Sequence, residues 1–160
     1  MSSFKSFNKI HFVLLLLLSN TSYAADSIII ENTWSPDAPP VAKVMAGYMS
    51  IKNNSNKDIK ITSAKSSLFK RVEIHLTEMK NGMMRMTKQE NLNIKAKSHI
   101  ELKPGGLHMM LMGKLKPVTK GSTIPVSLSL DNGETVQISL KVKSNVRPQM
   151  KCGNGKCGSM

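Results

Sequence analysis

From Ser27 onward the chain is written in short runs of alternating apolar and polar residues, separated by turn signals at regular intervals, and no stretch sustains a helical period. The alternation predicts strands over Ser27–Thr33, Val44–Lys52, Ile59–Ala64, Arg71–Met79, Met83–Lys88, Asn91–Ile94, His99–Lys103, Leu107–Met112, Ile124–Leu130 and Thr135–Val142. Between them stand explicit turns: Asn53-Asn54-Ser55-Asn56, Asn81-Gly82, Pro104-Gly105-Gly106 and Asp131-Asn132-Gly133. Short strands at even spacing predict an all-β sandwich.

Two of these strands carry polar, chemistry-bearing residues on the face turned away from the core. In Arg71–Met79, Val72, Ile74 and Leu76 share one face, and Glu73, His75 and Thr77 share the other. If Asn81-Gly82 closes a two-residue hairpin, Met86 pairs with Thr77 and becomes a diagonal neighbour of His75. Such neighbours lie about 7–8 Å apart at the backbone, within reach of long side chains. In Leu107–Met112, His108, Met110 and Met112 fall on one face and Leu107, Met109 and Leu111 on the other. Pro104-Gly105-Gly106 just ahead lets the backbone turn sharply at a rim.

A lone methionine or histidine on a strand is more often packing than a ligand. The conjunction changes that balance: His75, Met86, His108 and Met110 all fall on polar faces beside turns. Thioethers are soft and neutral, which suits Cu(I), whereas Zn(II) prefers imidazole, thiolate or carboxylate and Ca(II) or Mg(II) wants oxygen. A blue-copper electron carrier needs a cysteine beside these residues, and none stands there. Thioethers also form no disulfides in an oxidising compartment. No carboxylate stands at an obvious supporting spacing from His75 or His108, and no Ser or Cys nucleophile sits in a recognisable motif, so an enzyme is the least expected class.

Composition sharpens this picture in three ways. With 160 residues there is room for one domain, and with aromatic residues at 4 % the core must be aliphatic, helped by an unusual 12 methionines. The net charge of +13 comes mostly from scattered lysines; nucleic-acid binding would want arginines and aromatics interleaved on one face, so no nucleic-acid partner is expected. Residues 1–24 read as a cleaved secretory signal, with Lys5 and Lys9 ahead of the apolar run Phe12–Leu18 and a small-x-small site at Ser22-Tyr23-Ala24. That run falls well short of the roughly 20 apolar residues that span a bilayer, and no cysteine follows it for acylation, so a soluble, exported protein without stable membrane insertion is expected. A monomer is the expected state, although no feature of the sequence fixes it.

The order His75, ten residues, Met86, twenty-one residues, His108, one residue, Met110 resembles the motif of the periplasmic copper chaperones called PCu(A)C. Further likeness lies in Ala46–Asn53, Glu73-Ile74-His75, Met84-Arg85-Met86, Gly105–Leu111 and Pro125–Leu130, so the resemblance spans about residues 28–143. It implies a cupredoxin-like Greek-key β-sandwich or barrel over residues 25–144 that binds Cu(I) through His75, Met86, His108 and Met110. It further implies a periplasmic role in copper homeostasis and cytochrome oxidase assembly, with oxidase subunit II or a thioredoxin-like copper chaperone as acceptor. The rival class is an exported β-sandwich binding module, adhesin-like, whose methionines only pack and which takes up no copper.

The tail, residues 145–160, departs from the family pattern, which often ends in a histidine- and methionine-rich extension. It carries Cys152 and Cys157 among glycines and lysines, and disorder is expected there. Four residues separate the cysteines, which is not the spacing of a redox pair. A small disulfide loop formed after export is the preferred reading, and a second soft-metal site the alternative. A chain ending at Val146 should therefore keep the copper stoichiometry of the full chain in a titration, and a drop would establish the second site.

Overall fold

The structure, a computed structural model, describes residues 27–144. The signal expected over residues 1–24 and the tail with Cys152 and Cys157 lie outside the described residues. Ten strands form: β1 Ile28–Pro36, β2 Val44–Asn53, β3 Ile59–Ser66, β4 Phe69–Lys80, β5 Met83–Gln89, β6 Leu92–Ile94, β7 His99–Leu102, β8 Leu107–Lys114, β9 Thr123–Leu130 and β10 Thr135–Lys143. Each expected strand is present, with ends that differ by three residues or fewer. Among the described residues no helix is long and apolar enough to cross a membrane.

The strands run β4-β8-β2-β1-β10-β9-β3, and β3 pairs back onto β4, so the two layers of the expected sandwich are joined into a closed barrel. Closure leaves no open edge along the seven strands of the ring, and the appended β5 and β6 carry the remaining ones. β5 extends from β4, β6 from β3, and β7 takes the stretch of β2 that β8 leaves free. β1 outruns its expected end because Trp34–Pro36 pair in parallel with Lys141–Lys143, after an irregularity between Glu31 and Trp34.

The inward positions of each strand meet in one core. Ile51, Ile94, Met109, Leu111, Ile124 and Leu140 are among its fully buried members, and Met45 and Met49 join them. A Cβ on Gly47 would come within 2.8 Å of a terminal methyl carbon of Leu140, which is why this inward position of β2 carries no side chain.

The chain crosses from β2 to β3 through a polar knot around Asn53, which is fully buried. Its Nδ2 donates to the carbonyls of Lys57 and Ile94, and its Oδ1 accepts from the Ser55 amide and hydroxyl. All of its polar atoms are thereby matched inside an apolar surround. Asn53→Ala removes the side-chain donor to the Ile94 carbonyl and the acceptor of the Ser55 amide, leaving Lys57 O to the Ser55 hydroxyl, and should lower stability by about 1–3 kcal/mol, read as a reduced urea midpoint at unchanged slope.

Candidate metal centre

The β4–β5 hairpin closes on Asn81 and Gly82, whose φ angles of 53° and 74° are those of a two-residue turn with both central residues left-handed. The register is the expected one: Thr77 pairs with Met86 and His75 with Lys88. Met86 is thus diagonal to His75 on the outer face of the hairpin.

On the other side β4 pairs with β8, and here His75 stands directly opposite His108, with Glu73 opposite Met110. Sequence periodicity places each histidine on a face but is silent on this pairing, because the partners are distant in the chain. The two imidazole centroids lie 6.1 Å apart with their planes inclined at 39°. His75, Met86, His108 and Met110 therefore share one face of three adjacent strands, β5-β4-β8. Tyr48, Thr77, Met86, His108 and Met110 line an open cleft over this face.

The turn before β8 fixes one ring. Pro104-Gly105-Gly106 folds back with Gly105 at φ 79°, a position that needs glycine, and the Gly106 amide bonds the Lys103 carbonyl. The Gly106 carbonyl then accepts from the Thr77 amide at 3.1 Å and from His108 Nδ1 at 2.9 Å. A carbonyl only accepts, so Nδ1 of His108 carries the proton and Nε2 keeps its lone pair.

The other ring is fixed by a carboxylate. His75 Nε2 donates to Glu73 Oε2 at 2.9 Å, so the neutral ring keeps its lone pair on Nδ1. That Nδ1 is buried and has no hydrogen-bond partner among the described residues. This unmatched lone pair shares its face with a second imidazole and two thioethers, so the four side chains are placed to act as neutral donors together. The lack of a supporting carboxylate expected from the sequence is thus corrected: Glu73 is two positions before His75, which on a strand means adjacent on the same face. The period-two rule that grouped the two residues was enough to find it. Glu73 is kept ionised chiefly by the His75 hydrogen bond, with Lys88 and Arg71 nearby, and its carboxyl sits below the ordinary carboxylate range although burial pushes the other way.

The face differs from the expected polar surface in one respect. His108 is only 8 % exposed and the side chain of His75 only 15 %, whereas Met86 is 54 % exposed. The His108 ring lines the cleft together with the exposed Met86 of the hairpin, and the His75 ring lies beside His108 outside the lining. Among the described residues no group of three or more His, Cys, Asp or Glu side chains is placed to hold an ion, and the neutral donors that share the face of the histidine pair are the thioethers of Met86 and Met110.

Fold and geometry together define a β-barrel domain with two imidazoles and two thioethers grouped on one outer face. The family model LpqE-like, described as "Putative lipoprotein LpqE-like", matches residues 28–142, and the chain belongs to that family. The chain is 31 % identical to "Putative lipoprotein Lxx21020" of Leifsonia xyli subsp. xyli over 120 residues, covering 74 % of this chain and 71 % of that protein. It is 26 % identical over 110 residues to the uncharacterized protein RP573 of Rickettsia prowazekii, covering 68 % of this chain and 60 % of the relative. Among solved structures, the copper-bound PCuAC domain of PmoF2 superposes with a TM-score of 0.64 at 21 % identity, over 76 % of this chain and 97 % of that one. The Cu(I) form of DR1885 from Deinococcus radiodurans gives 0.63 at 28 % identity, over 79 % and 84 %. The PCu(A)C resemblance read from the spacing and the all-β barrel fold both stand on these matches.

The two hydrogen bonds predict opposite tautomers for the two rings in the metal-free protein. Long-range proton–nitrogen NMR should place the proton on Nε2 in His75 and on Nδ1 in His108. Glu73→Leu should shift His75 toward a mixture of tautomers while leaving His108 unmoved, and an unchanged His75 pattern would refute the role given to the carboxylate.

Proposed function

We propose that this chain is an exported metallochaperone that carries one Cu(I) between His75, Met86, His108 and Met110 and passes it to a partner protein. The observation that carries the reading is the cross-strand pair His75 and His108, one ring with a buried and unpartnered Nδ1, flanked diagonally by Met86 and Met110. Its support is the copper bound by two similar domains, the PmoF2 PCuAC domain and DR1885. The proposed division is a cleaved signal over 1–24, the copper domain over 25–144 and a tail over 145–160, with the protein acting as a periplasmic monomer.

Copper is the cargo here, and the chemistry is ligand exchange with no substrate bond made or broken. Four neutral donors leave the single charge of Cu(I) uncompensated in the site, which favours it over the doubly charged ion. Glu73 is next to the site but occupied by His75 and Lys88, so it orients an imidazole instead of adding an anionic donor. The donors differ in access, from exposed Met86 to the nearly buried rings. An incoming partner therefore displaces thioethers first and imidazoles last. The acceptor is a protein that offers soft donors of its own, oxidase subunit II or a thioredoxin-like copper chaperone, which places the chain in cytochrome oxidase assembly.

His75→Ala and Met86→Ala should each weaken Cu(I) binding by about tenfold or more, equivalent to about 1.4 kcal/mol, in competition with a Cu(I) chelator. Both variants should keep the wild-type thermal unfolding, since neither side chain belongs to the apolar core. Unaltered affinity in the two variants would overturn the site.

A further inference from the structure

Apart from the half-buried Met110 and Met112 of β8, the methionines of the described residues fall into two groups. Met45, Met49 and Met109 are core residues with 4 % exposure or less. Met79, Met83, Met84 and Met86 are 66 %, 59 %, 73 % and 54 % exposed, and all four stand on the β4–β5 hairpin. Packing explains the first group and not the second, because a flexible apolar side chain left in water contributes no burial.

The hairpin register sorts the second group further. Met79 is the direct cross-strand partner of Met84, and Thr77 of Met86, so Met79, Met84 and Met86 line the same face as His75. The charged residues of the tip, Glu78, Lys80 and Arg85, occupy the opposite face, where Glu78 pairs with Arg85 and Lys80 with Met83. From the turn inward, the face thus presents three neutral sulfurs, one hydroxyl and then the histidine pair, with no charge until Lys88. Directly opposed residues have Cβ atoms roughly 4.5–5.5 Å apart, close enough for two thioethers to meet on one ion, and Met86 is the next residue on that face of β5.

We propose that Met79, Met84 and Met86 form a second, weaker Cu(I) site of three thioethers at the hairpin tip, through which copper reaches and leaves the histidine pair. The proposal rests on the copper-carrier reading and adds a loading route to it. Met86 is common to both sites, so copper passes inward by exchanging Met79 and Met84 for His75 and His108 while its bond to Met86 persists. Copper stays in the +1 state throughout. Every donor is neutral, so no electron moves and no proton is released. A soft, all-thioether site holds the ion less tightly than the mixed site, as a way station must.

The test uses the full chain with methionine ε-methyl groups labelled with carbon-13, titrated with Ag(I), which matches Cu(I) in charge and softness without its redox chemistry. The first equivalent should move the methyls of Met86 and Met110 and the ring signals of His75 and His108. The second should move Met79 and Met84 together. In a His75→Ala/His108→Ala double variant the methyls of Met79, Met84 and Met86 should respond from the first equivalent. Met79→Leu/Met84→Leu, which keeps the apolar volume, should leave first-equivalent affinity within about twofold, a difference of about 0.4 kcal/mol, but slow Cu(I) transfer to an excess chelator at least threefold. Methyls of Met79 and Met84 that stay fixed through two equivalents, or an unchanged transfer rate in the double leucine variant, would overturn the tip site. Silent ring signals at the first equivalent would instead overturn the carrier reading, whatever the hairpin methyls do.

Discussion

The site depends on the ladder between β4 and β8. That ladder alone brings His75 opposite His108, two residues 33 positions apart in the chain. Its register is held from the other face: Val72 opposes Leu111 and Ile74 opposes Met109, all four buried in the core. A slip of one residue would turn these side chains to water and the histidines inward, exchanging apolar burial of about 1.5–3 kcal/mol per large side chain for buried imidazoles. The core thus specifies the geometry of the outer face, and the candidate site inherits its precision from packing that never touches it.

Around that pair, protonation is arranged by groups that do not themselves face an ion. The Gly106 carbonyl ties His108 Nδ1 and the β4 backbone at Thr77 to the same oxygen, and the Glu73 carboxylate ties His75 Nε2. Each ring is left with one lone pair available, and the two use different nitrogens to present it. A free carboxylate on this face would attract harder, more highly charged ions. Held between His75 and Lys88, Glu73 instead makes the imidazole a better donor.

Much of this was legible in the sequence where the physics is local. Alternation located all ten strands, and Asn81-Gly82 fixed the hairpin register because a two-residue turn leaves no other pairing. The β4–β8 contact was not legible, since no local rule links residues separated by three intervening strands, and only the resemblance in spacing pointed to it. Glu73 was legible and overlooked: it was placed on the His75 face but not considered as a support for the ring. The burial of His108 was illegible for another reason. Alternation tells which side of a sheet a residue takes, and the depth of the cleft on that side comes from the Pro104–Gly106 turn and from the hairpin.

The resulting face grades from buried to exposed, and that gradient suits the proposed carrier better than a permanent holder. The imidazoles are nearly buried, each pinned through its second nitrogen, and offer a preformed pair of donors with little side-chain freedom left to lose. The thioethers on β5 are exposed on a strand whose outer edge is unpaired, with three flexible torsions each. Holding an ion therefore costs ordering mainly on the hairpin side, and releasing it recovers that entropy there. A site of four rigid donors would bind more tightly but give a partner no first ligand to displace, whereas four mobile ones would select the ion poorly. Under the proposed function, pairing a buried half with a solvent-side half lets one face do both, and the β4 strand, shared by the two ladders, is the element that joins them.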